Sequence, residues 1–138
     1  MSESLLKVTD LSISFFSNTT ENKVIKSISF SVKKNEILGI VGESGSGKSV
    51  SSLAIMGLLP KTISKITDGE IIFESTNLLN LSKKDFQSIR GNTISMIFQE
   101  PMSSLNPAMT CGKQVLEIIS QHLSLSKKEA ETYVLELF

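Results

Sequence analysis

The sequence predicts an α/β fold built around a strand, a glycine loop and a helix, with antiparallel strands ahead of this unit and amphipathic helices behind it. Three observations carry that reading. Residues 36–41 form a short apolar run bounded by turn residues, with the length and composition of a buried parallel strand. The run leads directly into Gly42-Glu43-Ser44-Gly45-Ser46-Gly47-Lys48-Ser49, which fits G-x-x-x-x-G-K-[ST]. From Val50 onward, Leu53, Ile55, Met56 and Leu59 can share one helix face before Pro60 ends the helix.

Strand, loop and helix in this order are the arrangement that phosphate binding requires. Glycines let the backbone curl round an anion without a Cβ clash. Successive N–H groups then converge on phosphate oxygens, aided by the positive end of the following helix. The pattern assigns the Lys48 ammonium to the β- and γ-phosphates and the Ser49 hydroxyl to Mg²⁺. A flexible glycine-serine turn is the competing reading, and the flanking strand and helix patterns argue against it.

The remaining elements follow in chain order. Leu11, Ile13 and Phe15 alternate with serines, as do Ile28, Phe30 and Val32, which predicts two half-buried strands paired antiparallel across a loop at 18–22. Lys33-Lys34-Asn35 is a turn, with Asn35 suited to a left-handed position. Residues 61–68 read as a surface loop, Asp68-Gly69 as a turn, and 70–74 as a short strand. Ser82, with Asp85 three residues on, predicts a helix start, and Gly91 its end. Residues 93–98 look strand-like, and a loop rich in Ser, Asn and Pro runs from Gln99 to Thr110. Val115, Ile118, Ile119 and Leu123 mark an amphipathic helix. Ser126 with Glu129 forms a capping box for a last helix, whose apolar face is Ala130, Tyr133, Val134 and Leu137.

Composition excludes several classes. The chain has 138 residues, 40% of them hydrophobic, and a formal net charge of zero. That is enough for one domain with a sizeable core, and no basic excess points to nucleic acid. Cys111 is the only cysteine, so there is no internal disulfide framework, which suits a reducing cytosol. No apolar run is long enough to span a bilayer, and the polar start Met1-Ser2-Glu3-Ser4 is no signal peptide.

The phosphate loop, followed fifty residues later by Phe98-Gln99-Glu100-Pro101-Met102-Ser103-Ser104-Leu105-Asn106-Pro107, resembles the ATP-binding subunits of ABC transporters. The second motif is similar to a Q-(D/E)-P-x-x-S-L-N-P run in the dipeptide, oligopeptide and nickel importer subfamily. The resemblance covers essentially the whole chain. It implies a P-loop NTPase core of the ABC ATPase kind, incomplete, with an antiparallel β-subdomain over 1–35, a core over 36–98, and the Q-loop with the start of a helical subdomain over 99–138. It implies ATP and Mg²⁺ as ligands. Gly42, Glu43, Ser44, Gly45, Ser46, Gly47, Lys48, Ser49 and Val50 would hold the nucleotide, and Ser49 and Gln99 the metal. Gln99 would also sense the γ-phosphate, and its loop would contact a permease subunit of the membrane. Phe15 sits where the family stacks an aromatic on adenine, with Phe16 as the fallback and a core role for Phe15 as the competing reading.

The family continues with an L-S-G-G-Q signature loop, an apolar strand ending in Asp-Glu and a switch histidine, and none of these occurs here. The expectation is the N-terminal portion of such a subunit: cytoplasmic, peripheral on the inner face of the membrane, partnered by permeases and a second ATP-binding subunit, and inactive in hydrolysis alone. No residue is singled out as catalytic beyond Gln99 as sensor. Asn35, where the family usually has Gly, tolerates the same backbone state. His122 reads as an ordinary helix residue and Cys111 as a passive thiol. A soluble P-loop regulator or kinase without a membrane partner is the competing function, and the Q-loop motif weighs against it.

Overall fold

A computed structural model describes residues 4–18, 20–99 and 105–138. The chain forms two compact units, one ending at Phe86 and the other beginning at Gln87.

The first unit is a four-stranded antiparallel sheet with one helix after the phosphate loop. Its strands are β1 (Ser4–Ser17), β2 (Thr20–Lys33), β3 (Ser64–Phe73) and β4 (Thr76–Asn77), in the spatial order β2-β1-β3-β4. The expected pairing of the first two strands is present. They extend well beyond the alternating cores read in sequence, and the loop foreseen at 18–22 shrinks because β2 already begins at Thr20. The foreseen loop at 61–68 is likewise cut short, since β3 starts at Ser64 and pairs with Phe15 of β1.

Left-handed residues lie at one level in all three long strands: Asp10 (φ 49°), Ser27 (φ 51°) and Gly69 (φ 92°). Each coincides with a shift in ladder register between β1 and its neighbours. An extra residue flips the inward phase of a strand. Val8 and Leu11 can therefore both face the core three positions apart. Asp68-Gly69, foreseen as a turn, is thus a bulge inside β3. Asp10 holds this level together: its carboxylate accepts hydrogen bonds from Ser27 Oγ at 3.2 Å and Ser29 Oγ at 3.3 Å. The serines that alternate with the apolar residues therefore include the bulge's polar partners. Leu11, Ile13 and Ile71 are fully buried beneath it, each stabilising the fold by roughly 1.5–3 kcal/mol.

Residues 36–41 correct the reading. They form no strand, and Ile37 and Val41 are 98% and 96% exposed. A parallel strand needs neighbours hydrogen-bonded along it, and every named strand among the described residues belongs to the antiparallel sheet. Apolar composition marks the segment for burial but supplies no partner. The strand-like segment 93–98 also lacks one. Only Ile94 pairs there, in an isolated bridge to Arg90, and Ile97 is exposed.

The starts at Ser82 and Ser126 are capped as read, whereas the helix after the loop, expected to run to Pro60, ends at Ile55, with Gly57 left-handed (φ 59°) and Met56 and Leu59 outside it. Following the phosphate loop, α1 spans Lys48–Ile55; Ser51 and Ala54 are buried on it, while Leu53 and Ile55 are only half-buried. A short 3₁₀ turn at Leu78–Asn80 leads to α2 (Lys83–Ile89), where Ser82 Oγ accepts from Asp85 N. In the second unit α3 (Cys111–His122) packs on α4 (Lys127–Leu137) through Ile119, Ala130 and Val134, flanked by Val115 and Leu116. Ile118, Tyr133 and Leu137, expected on the apolar faces, are exposed, because the contact strip between two short helices is narrow. The capping box at Ser126 and Glu129 is formed as read.

Two outcomes follow. A Cβ at Gly69 would lie 2.5–2.6 Å from the backbone of Thr9 and Asp10, in a left-handed conformation, so Gly69→Ala should cost at least about 1–3 kcal/mol. A denaturant midpoint lowered at unchanged slope checks it. Separately, hydrogen bonds from the Ser126 hydroxyl and backbone hold the Glu129 carboxyl below the usual carboxylate range. A depressed folded value contributes stability above the ordinary value that is lost as pH falls through the folded one. Backbone chemical shifts of 127–137 should therefore show α4 fraying below about pH 4, and Glu129→Gln should flatten that change.

Candidate phosphate-binding site

The loop between Gly42 and Lys48 closes on its own lysine. Lys48 Nζ donates to the carbonyls of Gly42 and Glu43, both at 2.7 Å, and lies 3.3 Å from Ser46 Oγ. Ser46 N donates to Glu43 O at 3.2 Å, making the tight turn. A side chain at Gly42 would meet Ser46 Oγ at 2.7 Å. Gly45 and Gly47 are left-handed, at φ 80° and 94°. Alternating left-handed and ordinary residues turns successive N–H groups to one side and makes a concave anion site.

Gly47 is the N-cap of α1, and no side chain caps that helix. Its first N–H groups are therefore left to the loop's concave side, at the end that carries the helix's positive partial charge. Ser51 and Ser52 turn their hydroxyls back to Gly47 O and Lys48 O, at 3.1 and 3.3 Å. Ser49 lies exposed in the first turn and Val50 half-buried behind it. Gly47 itself is buried: a Cβ there would strike Ile25 Cδ1 of β2. Here φ 94° and lack of space both require glycine.

Phe15 is half-buried near the end of β1, paired with Asn22 and Ser64. By strand alternation it shares a face with Ile13, whose partner Ile25 touches the loop at Gly47. Phe16 falls on the opposite face, 41% exposed, with its N–H bonded to Ile63 O at 2.8 Å. Gln99 is exposed and belongs to the second unit. Residues 100–104 of the Gln99–Pro107 motif, Glu100 and Pro101 among them, lie outside the described residues. Ser49 in the first unit carries a hydroxyl and Gln99 in the second an amide oxygen, each an oxygen donor of the kind hard cations take. No cluster of three or more His, Cys, Asp or Glu able to hold a metal occurs among the described residues. Cys111 is exposed at the start of α3, and His122 sits in its last turn, near Gly91.

Two side chains escaped the sequence reading. Ile25 was not assigned to either face; its spacing of three from Ile28, across the bulge at Ser27, hid it from an alternating pattern. Gln114 clamps the end of the Gln99–Pro107 motif to the turn that follows it. Its Oε1 accepts from Asn106 N at 3.0 Å, and its Nε2 donates to Asn106 O and Met109 O at 3.1 and 3.2 Å. No local pattern distinguishes such a glutamine from a solvated one.

Residues 25–137 match the family described as ABC transporter. The oligopeptide transport ATP-binding protein OppD of Bacillus subtilis (strain 168) is 49% identical over 133 residues, spanning 96% of this chain and 37% of that protein. The dipeptide transport ATP-binding protein DppD of the same strain is 46% identical over 135 residues, spanning 98% and 40%. The chain thus spans about two fifths of the length of these curated relatives. Among solved structures, a dimeric bacterial ABC transporter cassette is similar at a TM-score of 0.77 and 25% identity, over 95% of this chain and 54% of that one. A dimeric ATP-binding cassette in a post-hydrolysis state, bound to ADP and Pi, has a TM-score of 0.74 at 23% identity, which bears on the fold alone.

Removing the Gln114 clamp deletes three hydrogen bonds from an otherwise exposed loop. Gln114→Ala should raise amide exchange at Asn106 by the equivalent of roughly 0.5–1.5 kcal/mol and leave α4 unchanged. Unaltered exchange at 105–110 would show that the loop is held by other contacts.

Proposed function

The chain belongs to the ABC transporter family, and from that membership we propose that it is the ATP-binding portion of an ATPase subunit that energises peptide import. The observation that carries the proposal is the closed loop, with Lys48 Nζ between the carbonyls of Gly42 and Glu43 at the uncapped start of α1. An ammonium held there can exchange carbonyl partners for β- and γ-phosphate oxygens with little rearrangement, and preorganisation of this kind favours binding. The loop residues from Gly42 to Val50 cradle the phosphates. Phe15, on the face that leads to Gly47, stacks on the base. Ser49 and Gln99 supply oxygen ligands for Mg²⁺, which when bound neutralises charge on the β- and γ-oxygens.

Peptides are proposed as cargo because the relatives named above are oligopeptide and dipeptide transport proteins. Nickel has no such support. The working partners are permease subunits, met through the Gln99 loop, and a second ATP-binding subunit. The subunit is peripheral on the inner membrane face; no helix among the described residues is long and apolar enough to cross a bilayer. We divide the chain into an antiparallel subdomain over 1–35, the core over 36–98, and the Q-loop with the first helices of a helical subdomain beyond. A soluble regulator or kinase has no observation in its favour.

Within residues 1–138 the metal-binding and water-orienting carboxylates of the family's later motifs are absent. What remains binds ground state and transition state alike, which does not raise turnover. Titration with a fluorescent ATP analogue should therefore give binding that Lys48→Ala weakens by more than about tenfold, as for a charge-assisted hydrogen bond. Phosphate release should stay at background in both proteins. Equal affinities would refute the binding site. Lys48-dependent turnover near the usual range of about 1–10³ per second would assign a catalytic carboxylate, such as Glu100, within this chain.

A further inference from the structure

The geometry points to Ile25 as a positioning residue of the phosphate loop. A helix that binds an anion at its start cannot spend its first N–H groups on a capping side chain, which would occupy them. At α1 no side chain caps the helix, and the cap position is a left-handed glycine. Something outside the loop must then fix the direction in which the chain leaves Gly47, since glycine itself adds the most freedom of any residue.

Ile25 is placed to do this. It is 3% exposed, and its Cδ1 occupies the point where a side chain at Gly47 would stand, with Val24 O 3.6 Å from the same point. Ile25 pairs with Ile13, which is fully buried on β1, and Ile13 pairs in turn with Ile66 of β3. A row of isoleucines across three strands thus ends on the backbone of Gly47, and Lys48 and Ser49 follow immediately. The row sets the loop's exit against the sheet, so the side chains that meet the phosphates inherit their positions from β2. Sequence separation between Ile25 and Gly47 is bridged by residues 34–47, among which no strand or helix forms. The contact is therefore a direct tie between the sheet and the loop.

The consequence for affinity rests on the ATP-binding reading, whereas the consequence for loop rigidity does not. Ile25→Val deletes the Cδ1 methyl alone and keeps the strand-forming, β-branched character. Ile71→Val makes the same deletion at a fully buried position of β3 and serves as the control for general destabilisation. Hydrogen exchange would be read by mass spectrometry on the full chain without nucleotide, for peptides spanning 43–55. These contain the Ser46 and Ser51 amides bonded to Glu43 O and Gly47 O. Ile25→Val should speed exchange there by about two- to tenfold, in keeping with loss of one buried methyl. Ile71→Val should leave it unchanged. Binding of the ATP analogue should weaken by a similar factor in Ile25→Val only. Unchanged exchange in Ile25→Val, or an equal rise in Ile71→Val, would overturn the assignment. If the exchange result holds while the wild-type chain fails to bind nucleotide, the positioning role stands and the ATP-binding reading falls.

Discussion

β1 is hydrogen-bonded along both edges, to β2 on one side and β3 on the other, and the first unit is laid out from those two ladders. A strand so placed fixes register in both neighbours at once, because a slip of one residue would turn every buried side chain to the wrong face. The bulge level at Asp10, Ser27 and Gly69 is the price of fitting three strands to one core with inward residues at irregular spacing. It is cross-braced by Asp10 and the serines of β2. The same frame reaches the loop before α1: Ile25 lies opposite Ile13 and abuts Gly47, and Phe15 follows two residues along β1.

The loop shows how a short segment of backbone can hold a charged side chain at a helix start. Its lysine is held by carbonyls of its own turn, and its glycines carry φ values that other residues adopt at a cost. The helix behind it begins without a side-chain cap. These are features that would weaken an ordinary helix start, and here they accompany a buried Gly47 packed on Ile25. Local rules are expected to fail where a site needs the groups those rules would consume.

Much of this was legible in the sequence, for identifiable reasons. The phosphate loop is encoded by residue types with no close substitute, so Gly42 to Ser49 could be placed directly. The Ser126–Glu129 box and the Ser82–Asp85 start were legible because caps act within a few residues. The β1–β2 pairing was legible from alternation, but the bulges were not: a phase change looks like noise in a short window, and it concealed Ile25 and the bulge at Gly69. The segment at 36–41 was misread because apolarity states a preference for burial, whereas strand formation needs a neighbour that no local pattern reveals. Gln114's clamp depends on a turn that only the folded loop presents.

The contacts that shape the loop come from the first unit, all of it upstream of Gln87. Lys48 answers to Gly42 and Glu43, Gly47 to Ile25, and Ile25 to Ile13. Chains emerge from the ribosome from the N-terminal end, and units formed of early residues fold first. The loop between Gly42 and Lys48 can therefore take its shape on the ribosome while the α3–α4 pair is still being made.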